Sequence, residues 1–547
     1  MAREAIRAEL ARVAASLGAP SDVPVELETP REKSHCDVAT NLALLLARPL
    51  RSSPRKIAEQ LVAGMTFPPE LVASVEVAGP GFINFRLGTG ELAGTLRTIL
   101  TEGARFGRGH AEPAQRVNVE FVSANPTGPL HVAHGRGAAL GDCVARLLEW
   151  QGHTVAREFY INDAGIQIDR LGESLWARVQ QAVGREAAIP EQGYHGAYLV
   201  ELAEQVLKEQ GRAFADQDPA EGARRCTQLG TAALETEQFA DLSAFRVGFD
   251  VRFPESDLYA RRLVDATLAK LRQHGVLFEH EGALWLRTTQ FGDDKDRVLR
   301  KSDGNFTYFT PDIAYHEEKA ARGFDRAIDV WGADHHGYVP RMRAAMLALG
   351  HGAAFFEALI VQLVTVLRHG EEVKMSKRAG EFITLRELVD EVGVDAARYF
   401  FLMRKCDTPL AFDVDLATKR TEENPVFYVQ MAHARMSGIF RNWERPEPIA
   451  PDWVDTSVLT DPTEGDLVKQ LARFPEAAQR SAETLEPQRL TQYLEELARA
   501  AHLWYHRCRV LGEPPAVERS RLALARCAQI VLSSALGLLG LTAPERM

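Results

Sequence analysis

Apolar and polar residues alternate between positions 117 and 121, and this period predicts a strand that is buried on one face. Its apolar positions are Val117, Val119 and Phe121. Turn-forming residues fill positions 125–129. A helix follows, with one apolar face made by Leu140, Val144, Leu147 and Leu148. The pattern therefore predicts a strand, a loop and a helix, in that order.

The predicted start of this helix has the chemistry of a phosphate-binding site. His131 and His134 are three residues apart and hence neighbours on one helical face. A helix N-terminus adds backbone N–H groups and the positive end of its dipole, and Gly135 and Gly137 would let a nucleotide approach the backbone. Two other interpretations stay open: a histidine here also serves as a helix cap, and Gly135, Gly137 and Gly141 are an imperfect dinucleotide fingerprint.

The remaining patterns divide the chain into three regions. Residues 1–110 predict a small α+β unit in which helical patterns alternate with two short strands. Residues 111–405 alternate strands and helices as an α/β nucleotide-binding fold does, with a helical insertion predicted over about 172–255 between its two halves. Residues 406–547 are almost all helical in pattern. We therefore expect three domains, the middle one built on a parallel sheet.

Composition narrows the class of protein. The chain has 547 residues, 46% of them hydrophobic and 25% charged, and no apolar run approaches the roughly 18 residues of a membrane span. The N-terminus lacks the apolar core of a signal peptide, and the six cysteines show no paired spacing, so reduced thiols in the cytoplasm are expected rather than disulfides or zinc ligands. A net charge of −11 argues against non-specific nucleic-acid binding, although a local basic surface could still bind phosphate.

Two motifs carry a resemblance to a known family. HVAH at 131–134 resembles the HIGH signature of class I aminoacyl-tRNA synthetases, and its flank EFVSANPTGPLHVAHGR resembles that of arginyl-tRNA synthetases. KMSK at 374–377 resembles the second signature of the class and follows the first by about 240 residues. Ala133 and Arg378 depart from the usual signatures. Further similar segments, from SHCDVATNLALLLA to the ending LGLTAPERM, extend the resemblance over nearly the whole chain.

The resemblance implies a fold and a reaction. It implies a class I Rossmann-like catalytic domain over 111–405, a tRNA-binding domain over 1–110 and an all-helical anticodon-binding domain over 406–547. In the implied reaction, ATP and L-arginine give arginyl-adenylate and pyrophosphate, and arginine then passes to the 3′ end of tRNA(Arg). It also implies that tRNA binds before activation and that the protein is a monomer. ATP is expected to enter with Mg²⁺ and without a dedicated protein-bound metal. Composition predicts a cytoplasmic protein with no membrane partner.

The resemblance also assigns residues to the phosphates. It implies that His131 and His134 on one side and Lys374 and Lys377 on the other stabilise the charge that develops on ATP. The other ATP-binding positions that it implies are Pro126, Thr127, Gly128, Gly135, Gly137, Asp334, His336, Met375 and Ser376. From the residues alone, Asp334, His335 and His336 follow a buried strand as ligand-binding loops do, and a metal cluster is the alternative there.

Carboxylates are expected to select the amino acid, because a guanidinium donates in a planar fork that a carboxylate accepts. The resemblance places Glu120 and Asp312 in the arginine pocket and Ser123, Asn125, His131, Tyr308 and His335 near it. It also implies tRNA contacts by Asn41 and by exposed Tyr428, Gln430, His433 and Arg435, which could stack on or hydrogen-bond unpaired bases.

Two other functions remain as alternatives. One is a tRNA-binding relative without catalysis, and the other is a synthetase for a different amino acid. Both histidines and both lysines of the signatures are present, which favours an active enzyme, and the SANPTGPLH flank favours arginine.

Overall fold

A three-stranded antiparallel sheet with helices on it forms the first part of the chain, and its strand order is β1-β3-β2. The computed structural model describes residues 2–20, 22–28, 36–163, 165–373, 383–444 and 447–547. Apolar residues of α1, α3 and the sheet make one core there. The elements of this part are α1 (Ala2–Ser16), β1 (Val38–Thr40), α2 (Leu42–Leu46), α3 (Pro54–Gly64), β2 (Val72–Ala78) and β3 (Phe82–Leu87). Helix α4 (Thr89–Glu102) follows and packs against the last helices of the chain.

A five-stranded parallel sheet forms the centre of the molecule, with strand order β11-β10-β4-β5-β6. Its first half and the helices after it are β4 (Arg116–Glu120), α5 (Val132–Trp150), β5 (Thr154–Ile161), α6 (Ile166–Ala182), α7 (Tyr198–Gln210), α8 (Pro219–Ala244) and β6 (Val251–Pro254). Helices α6, α7 and α8 share a small core of their own. Residues 251–254, which we placed at the end of the helical insertion, are the edge strand β6.

The second half returns on the other side of β4. Its elements are α9 (Ser256–Ala260), α10 (Leu263–Gln273), β7 (Leu277–His280), β8 (Ala283–Leu286), β9 (Arg297–Arg300), α11 (Phe309–Ala321), β10 (Arg326–Gly332), α12 (Val339–Ala348) and β11 (Phe356–Val361). Strands β7, β8 and β9 form a separate antiparallel sheet. The chain therefore reverses its direction of growth between β4 and β10, the place where ligands bind in sheets of this class.

The last part of the chain is a helical bundle preceded by a small sheet. Its elements are β12 (Val364–Arg368), β13 (Glu371–Glu372), α13 (Leu385–Val392), α14 (Val394–Leu402), β14 (Leu410–Asp413), α15 (Val414–Thr418), α16 (Pro425–Arg441), α17 (Pro462–Ala472), α18 (Phe474–Glu483), α19 (Gln488–Arg507) and α20 (Pro515–Leu538). One apolar core runs from β4 and α5 into this bundle. The two parts therefore pack as one body around α5.

Among the described residues, α20 is the one helix that is long and apolar enough to cross a membrane, with a mean hydropathy of 1.3 in its most apolar window. It packs against α4, α16, α17 and α19, and 61% of that window is buried inside the structure. This is the environment of the core helix of a bundle.

A buried ion pair joins α5, which packs on the central sheet, to α14. Arg398 of α14 is fully buried; it donates to Asp142 of α5 at 2.5 Å and to the backbone oxygens of Phe245 and Leu539. Burial raises the pKa of the Asp142 carboxyl. Arg398, Arg146 and Arg157 together lower this pKa by more than burial raises it, so the net shift is downward. The pair therefore contributes stability above the unfolded-state pKa of about 3.9 and loses it as the pH falls through the lower folded-state pKa.

Replacing Asp142 tests this link. We expect Asp142→Asn to lower the free energy of unfolding by about 3–5 kcal/mol at pH 7, because it leaves the buried Arg398 charge unpaired. Arg146→Gln is the matched control, since Arg146 bonds the same carboxylate from a partly exposed position and should cost less than about 1 kcal/mol. Urea unfolding followed by tryptophan fluorescence gives both values, and equal losses would contradict the assignment.

Candidate active site at the carboxyl edge of the parallel sheet

The loop after β4 leaves the sheet through a strained turn. Val122 and Ser123 have φ angles of 71° and 39°, which non-glycine residues rarely adopt and a β-branched residue adopts least of all. The turn brings the Ser123 hydroxyl back to the strand, where it donates to Glu120 Oε1 at 2.9 Å and accepts from the Tyr160 N–H at 3.1 Å. Strain of this kind persists where the surrounding structure enforces it, and it is concentrated at functional sites.

The two signature histidines form a capping box at the N-terminus of α5. His131 Nδ1 accepts from the Ala133 N–H at 3.3 Å, and His134 Nδ1 accepts from the His131 N–H at 3.2 Å. Their rings stack with centroids 3.8 Å apart. Because both Nδ1 atoms accept, the proton of each neutral ring lies on Nε2, where it can be donated to an anion. The helix-cap and phosphate-binding interpretations are therefore compatible.

Gly135 has a packing role that the sequence did not predict. A β-carbon at Gly135 would lie 2.6 Å from Leu385 Cδ1 and 3.1 Å from Phe401 Cε2, so the missing side chain lets α5 approach α13 and α14. At Gly137 the nearest atom to such a carbon, Val330 Cγ1, is 3.9 Å away. The close approach at Gly135 is thus to the protein itself.

The second signature, with Lys374, Met375, Ser376 and Lys377, lies outside the described residues. Residues 383–385, the first that are described after this signature, pair with the start of α5. The Val132 N–H donates to the Ile383 oxygen at 3.3 Å, and the Leu385 N–H donates to the Leu130 oxygen at 2.8 Å. Between them, Thr384 forms an antiparallel β-bridge with His131. The segment after KMSK is therefore anchored beside the first signature.

Acidic side chains lie next to the strained turn. Glu120 Oε2 accepts from Lys319 Nζ at 2.6 Å, and Lys319 also donates to Asp329 at 2.9 Å. Burial raises the pKa of Glu120, and Lys319 opposes that shift. Burial acts the same way on Asp329, but Lys319 and His316 outweigh it and lower the pKa of Asp329 to about 2. Asp329 therefore stays ionised, and Glu120 depends on its cation.

The second predicted pocket carboxylate, Asp312, lies in the first turn of α11 and accepts from the Tyr338 hydroxyl. Burial raises the pKa of Asp312, and the Tyr338 hydrogen bond opposes the rise. Its backbone oxygen lies 2.7 Å from His316 Nδ1, and His316 Nε2 lies 2.7 Å from Asp329. One hydrogen-bonded chain thus connects the Glu120 carboxylate, through Lys319, Asp329 and His316, to the backbone oxygen of Asp312. Tyr338, His316 and Lys319 were missed from the sequence, because a helical pattern does not tell which polar residue turns toward a sheet edge.

The other predicted pocket residues are more exposed. Tyr308 has 85% of its surface exposed, and Asp334, His335 and His336 lie exposed in a short 3₁₀ helix (Ala333–Tyr338) after β10. Asn125 donates from its amide to Gln167 Oε1 at 2.6 Å.

Two residues of the helical insertion hold the loop at 125–128, and neither was predicted. Gln238 of α8 donates to the backbone oxygens of Asn125 and Gly128 at 3.1 and 2.8 Å. The Tyr198 hydroxyl donates to the Thr127 oxygen at 2.6 Å. One turn after Gln238, Asp241 accepts from Arg386 in the first turn of α13. Helix α8 therefore links the loop before the first signature to the helix after the second.

Two side chains of the bundle that we expected to be exposed are buried. Gln430 is buried and donates to Asp395 at 2.7 Å and to the Thr542 oxygen at 3.0 Å, and buried His433 bonds the Pro544 oxygen at 2.9 Å. Both lie on the inward face of α16 and hold the C-terminal residues, so their prediction as exposed was wrong.

Tyr428 and Arg435 instead form a partly exposed cluster with α19. The Tyr428 ring lies 4.4 Å from His502, and Arg435 faces His502 and His506 at 2.7 and 3.2 Å. In the N-terminal part, the predicted tRNA contact Asn41 precedes α2, and its buried Oδ1 has no hydrogen-bond partner among the described residues.

Within the described ranges, no group of three or more His, Cys, Asp or Glu side chains is arranged to hold a metal ion. The six cysteines are free thiols, five of them buried.

Three family models match successive parts of this chain. They are the arginyl tRNA synthetase N-terminal domain over residues 1–87, the catalytic domain of class I (R) tRNA synthetases over 95–436, and the DALR anticodon binding domain over 429–547. An arginine–tRNA ligase of Desulforudis audaxviator is 50% identical over 529 residues, which cover 96% of this chain and 94% of that protein. One from Bacillus subtilis is 44% identical, covering 100% and 98%.

The solved arginyl-tRNA synthetase of Thermus thermophilus superposes with a TM-score of 0.80 at 25% identity, covering 100% of both chains. These matches confirm the resemblance read from the two signatures and the predicted class of fold. The chain therefore belongs to the arginyl-tRNA synthetase family of class I aminoacyl-tRNA synthetases.

Proposed function

We propose that this chain activates L-arginine with ATP and transfers the arginyl group to the 3′ end of tRNA(Arg), with both steps at the carboxyl edge of the parallel sheet. One observation carries the choice of site. Residues 383–385, which follow KMSK, pair with residues 130–132 at the start of α5. This pairing supports the convergence of His131, His134, Lys374 and Lys377 on one triphosphate.

Activation requires the arginine carboxylate to attack the α-phosphorus of ATP while pyrophosphate leaves. Charge builds on phosphate oxygens, so positioning and fixed donors supply most of the catalysis. His131 and His134 donate from Nε2 to these oxygens, and Lys374 and Lys377 neutralise the β- and γ-phosphates. Mg²⁺ would enter with ATP and neutralise part of the phosphate charge, since a hard cation prefers oxygen ligands, and it needs no dedicated site on the protein.

The arginine pocket is proposed to use two carboxylates. Glu120 and Asp312 lie in one hydrogen-bonded chain at this edge and accept from the guanidinium. Ser123, Asn125, Tyr308 and His335 complete the surroundings of the amino acid. A buried carboxylate left unpaired by an uncharged analogue gives strong discrimination without a separate editing site.

The remaining roles stay with the proposal. The loop residues Pro126, Thr127, Gly128, Asp334 and His336, the helix residues Gly135 and Gly137, and Met375 and Ser376 are proposed to surround ATP. Residues 1–110 and 406–547 are proposed as the tRNA-binding domains around a catalytic domain at 111–405. Asn41, Tyr428 and Arg435 are the tRNA contacts that we retain, and the protein is proposed to act as a cytoplasmic monomer.

Lys377→Ala tests the phosphate role. We expect the rate of arginine-dependent adenylate formation to fall about a hundredfold or more, because a fixed cation at the triphosphate is lost. Pyrophosphate exchange with tRNA present gives the rate, and filter binding should give a nearly normal tRNA affinity. Lys208→Ala, at an exposed position of α7, is the control and should leave exchange unchanged. Normal exchange by Lys377→Ala would refute the assigned role.

Asp312→Asn tests the pocket charge. We expect kcat/KM for arginine to fall about tenfold or more with little change in the KM for ATP, because a charge-assisted acceptor is lost. Since the pKa of Asp312 is raised, the wild-type kcat/KM for arginine should decline as the pH falls through that pKa, and the variant should lack this decline. Asp303→Asn, in an exposed turn, is the control. Equal losses for arginine and ATP would contradict the pocket assignment.

Gln238→Leu tests the support of the loop by α8. We expect adenylate formation to fall about tenfold to a hundredfold, because the 125–128 loop loses both hydrogen bonds to the Gln238 amide. Gln205→Leu removes an exposed amide of α7 that donates to exposed Glu209 at 2.9 Å, and it should have no effect on exchange. Exchange at the wild-type rate in Gln238→Leu would show that α8 does not position the loop.

A further inference from the structure

Three carboxylates lie in register across the middle of the parallel sheet. Asp329 of β10 is the direct neighbour of Glu120 of β4, and Glu120 is the direct neighbour of Glu158 of β5. All three are buried. Like charges in direct register repel each other, and burial adds a desolvation cost to each of them. A row of this kind needs cations that face it, and helix α11 provides them.

Lys319 of α11 and Arg322, the residue that follows α11, pair with different carboxylates of the row. Arg322 forms two 2.8 Å hydrogen bonds to Glu158, and Lys319 bonds Glu120 at 2.6 Å and Asp329 at 2.9 Å. Lys319 is fully buried, with its ammonium 4.5 Å from the centre of the Tyr315 ring. Lys319 is therefore the cation that pairs with Glu120, whereas Arg322 pairs with Glu158.

We propose that Lys319 is a positioning residue that keeps Glu120 ionised and oriented toward the cationic group of the amino-acid substrate. This inference rests on the proposed function of Glu120 in the arginine pocket. Glu120 Oε2 is held by Lys319 and Oε1 by the Ser123 hydroxyl, so the carboxylate is fixed at both oxygens. A carboxylate accepts more than one hydrogen bond at each oxygen, so both can still accept from a cation.

The charges around Glu120 explain why a cation is needed there. The titratable and charged groups that face Glu120 come from α11, β10 and β5, and they are Tyr315, His316, Lys319, Asp329, Glu158 and Tyr160. Glu120 and Asp329 share the one charge of Lys319, so Glu120 has no permanent cation to itself until a cationic substrate binds. Without Lys319, burial and the neighbouring Asp329 both favour protonation of Glu120. A protonated Glu120 would no longer attract a cation.

Lys319→Met keeps the length of the side chain and removes its charge, which separates electrostatics from packing. At pH 7 we expect the KM for arginine to rise about tenfold or more while the KM for ATP stays within about twofold, because only the Glu120 carboxylate, which is proposed to bind arginine, is affected. The arginine KM should recover as the pH is raised to about 9, since Glu120 then loses its proton. Lys319→Arg, which retains the charge, should recover part of the arginine affinity at pH 7.

Lys270→Met is the matched control. Lys270 of α10 pairs at 2.5 Å with Glu317 of α11, the helix that also carries Lys319. Lys270 is partly exposed and lies outside the site. We expect its KM values and pH profile to equal those of the wild-type protein.

Comparing Glu120→Gln with the Glu120→Gln/Lys319→Met double variant decides the inference even if Lys319→Met alone fails to fold. Glu120→Gln should by itself raise the KM for arginine, and Lys319→Met added to Glu120→Gln should raise it no further, because Lys319 acts through Glu120. Additive losses, equal changes in the arginine and ATP KM, or a loss that does not recover at high pH would overturn the inference. Failure of the proposed function would appear separately, as a wild-type protein without arginine-dependent pyrophosphate exchange.

Discussion

Helix α5 is the constraint on which the rest of the structure depends. Nearly every residue from 132 to 148 is buried, including two charged side chains, Arg136 and Asp142. The Arg136 guanidinium donates to the backbone oxygens of Gln362, Lys405 and Thr408, each at 2.9 Å, and Asp142 is held by Arg398. A buried charge without partners is costly, so the sheet, α14 and the bundle must meet α5 in one arrangement. The position of His131 at its N-terminus follows from that arrangement.

The carboxyl edge of the sheet departs from what would be most stable. A β-branched residue, Val122, adopts a left-handed backbone conformation, and carboxylates lie in register where apolar side chains would pack at no electrostatic cost. Proteins tolerate such local departures where function requires them and compensate for them nearby. Here the compensation comes from Lys319 of α11 and from Arg322, which follows this helix. The same helix carries Asp312, so one element organises both sides of the acidic pocket.

The helical insertion connects the two halves of the site rather than lying apart from it. Gln238 and Asp241 are one turn apart on α8, and they reach the loop before the first signature and the helix after the second. A displacement of α8 would therefore move both. Contacts made on the insertion would therefore be transmitted to the two segments proposed to surround ATP, through hydrogen bonds to backbone oxygens and one ion pair.

The sequence by itself determined the family, the class of fold and the order strand, loop, helix around HVAH, because hydrophobic period and contiguous motifs are local properties of the chain. It could not determine which polar residues face inward. Gln430 and His433 hold the C-terminal residues, and Gln238, Lys319 and Tyr338 support the site from elements distant in sequence. Only tertiary structure decides such partners, since a buried polar group is satisfied by whatever donor or acceptor the packing of other elements brings to it.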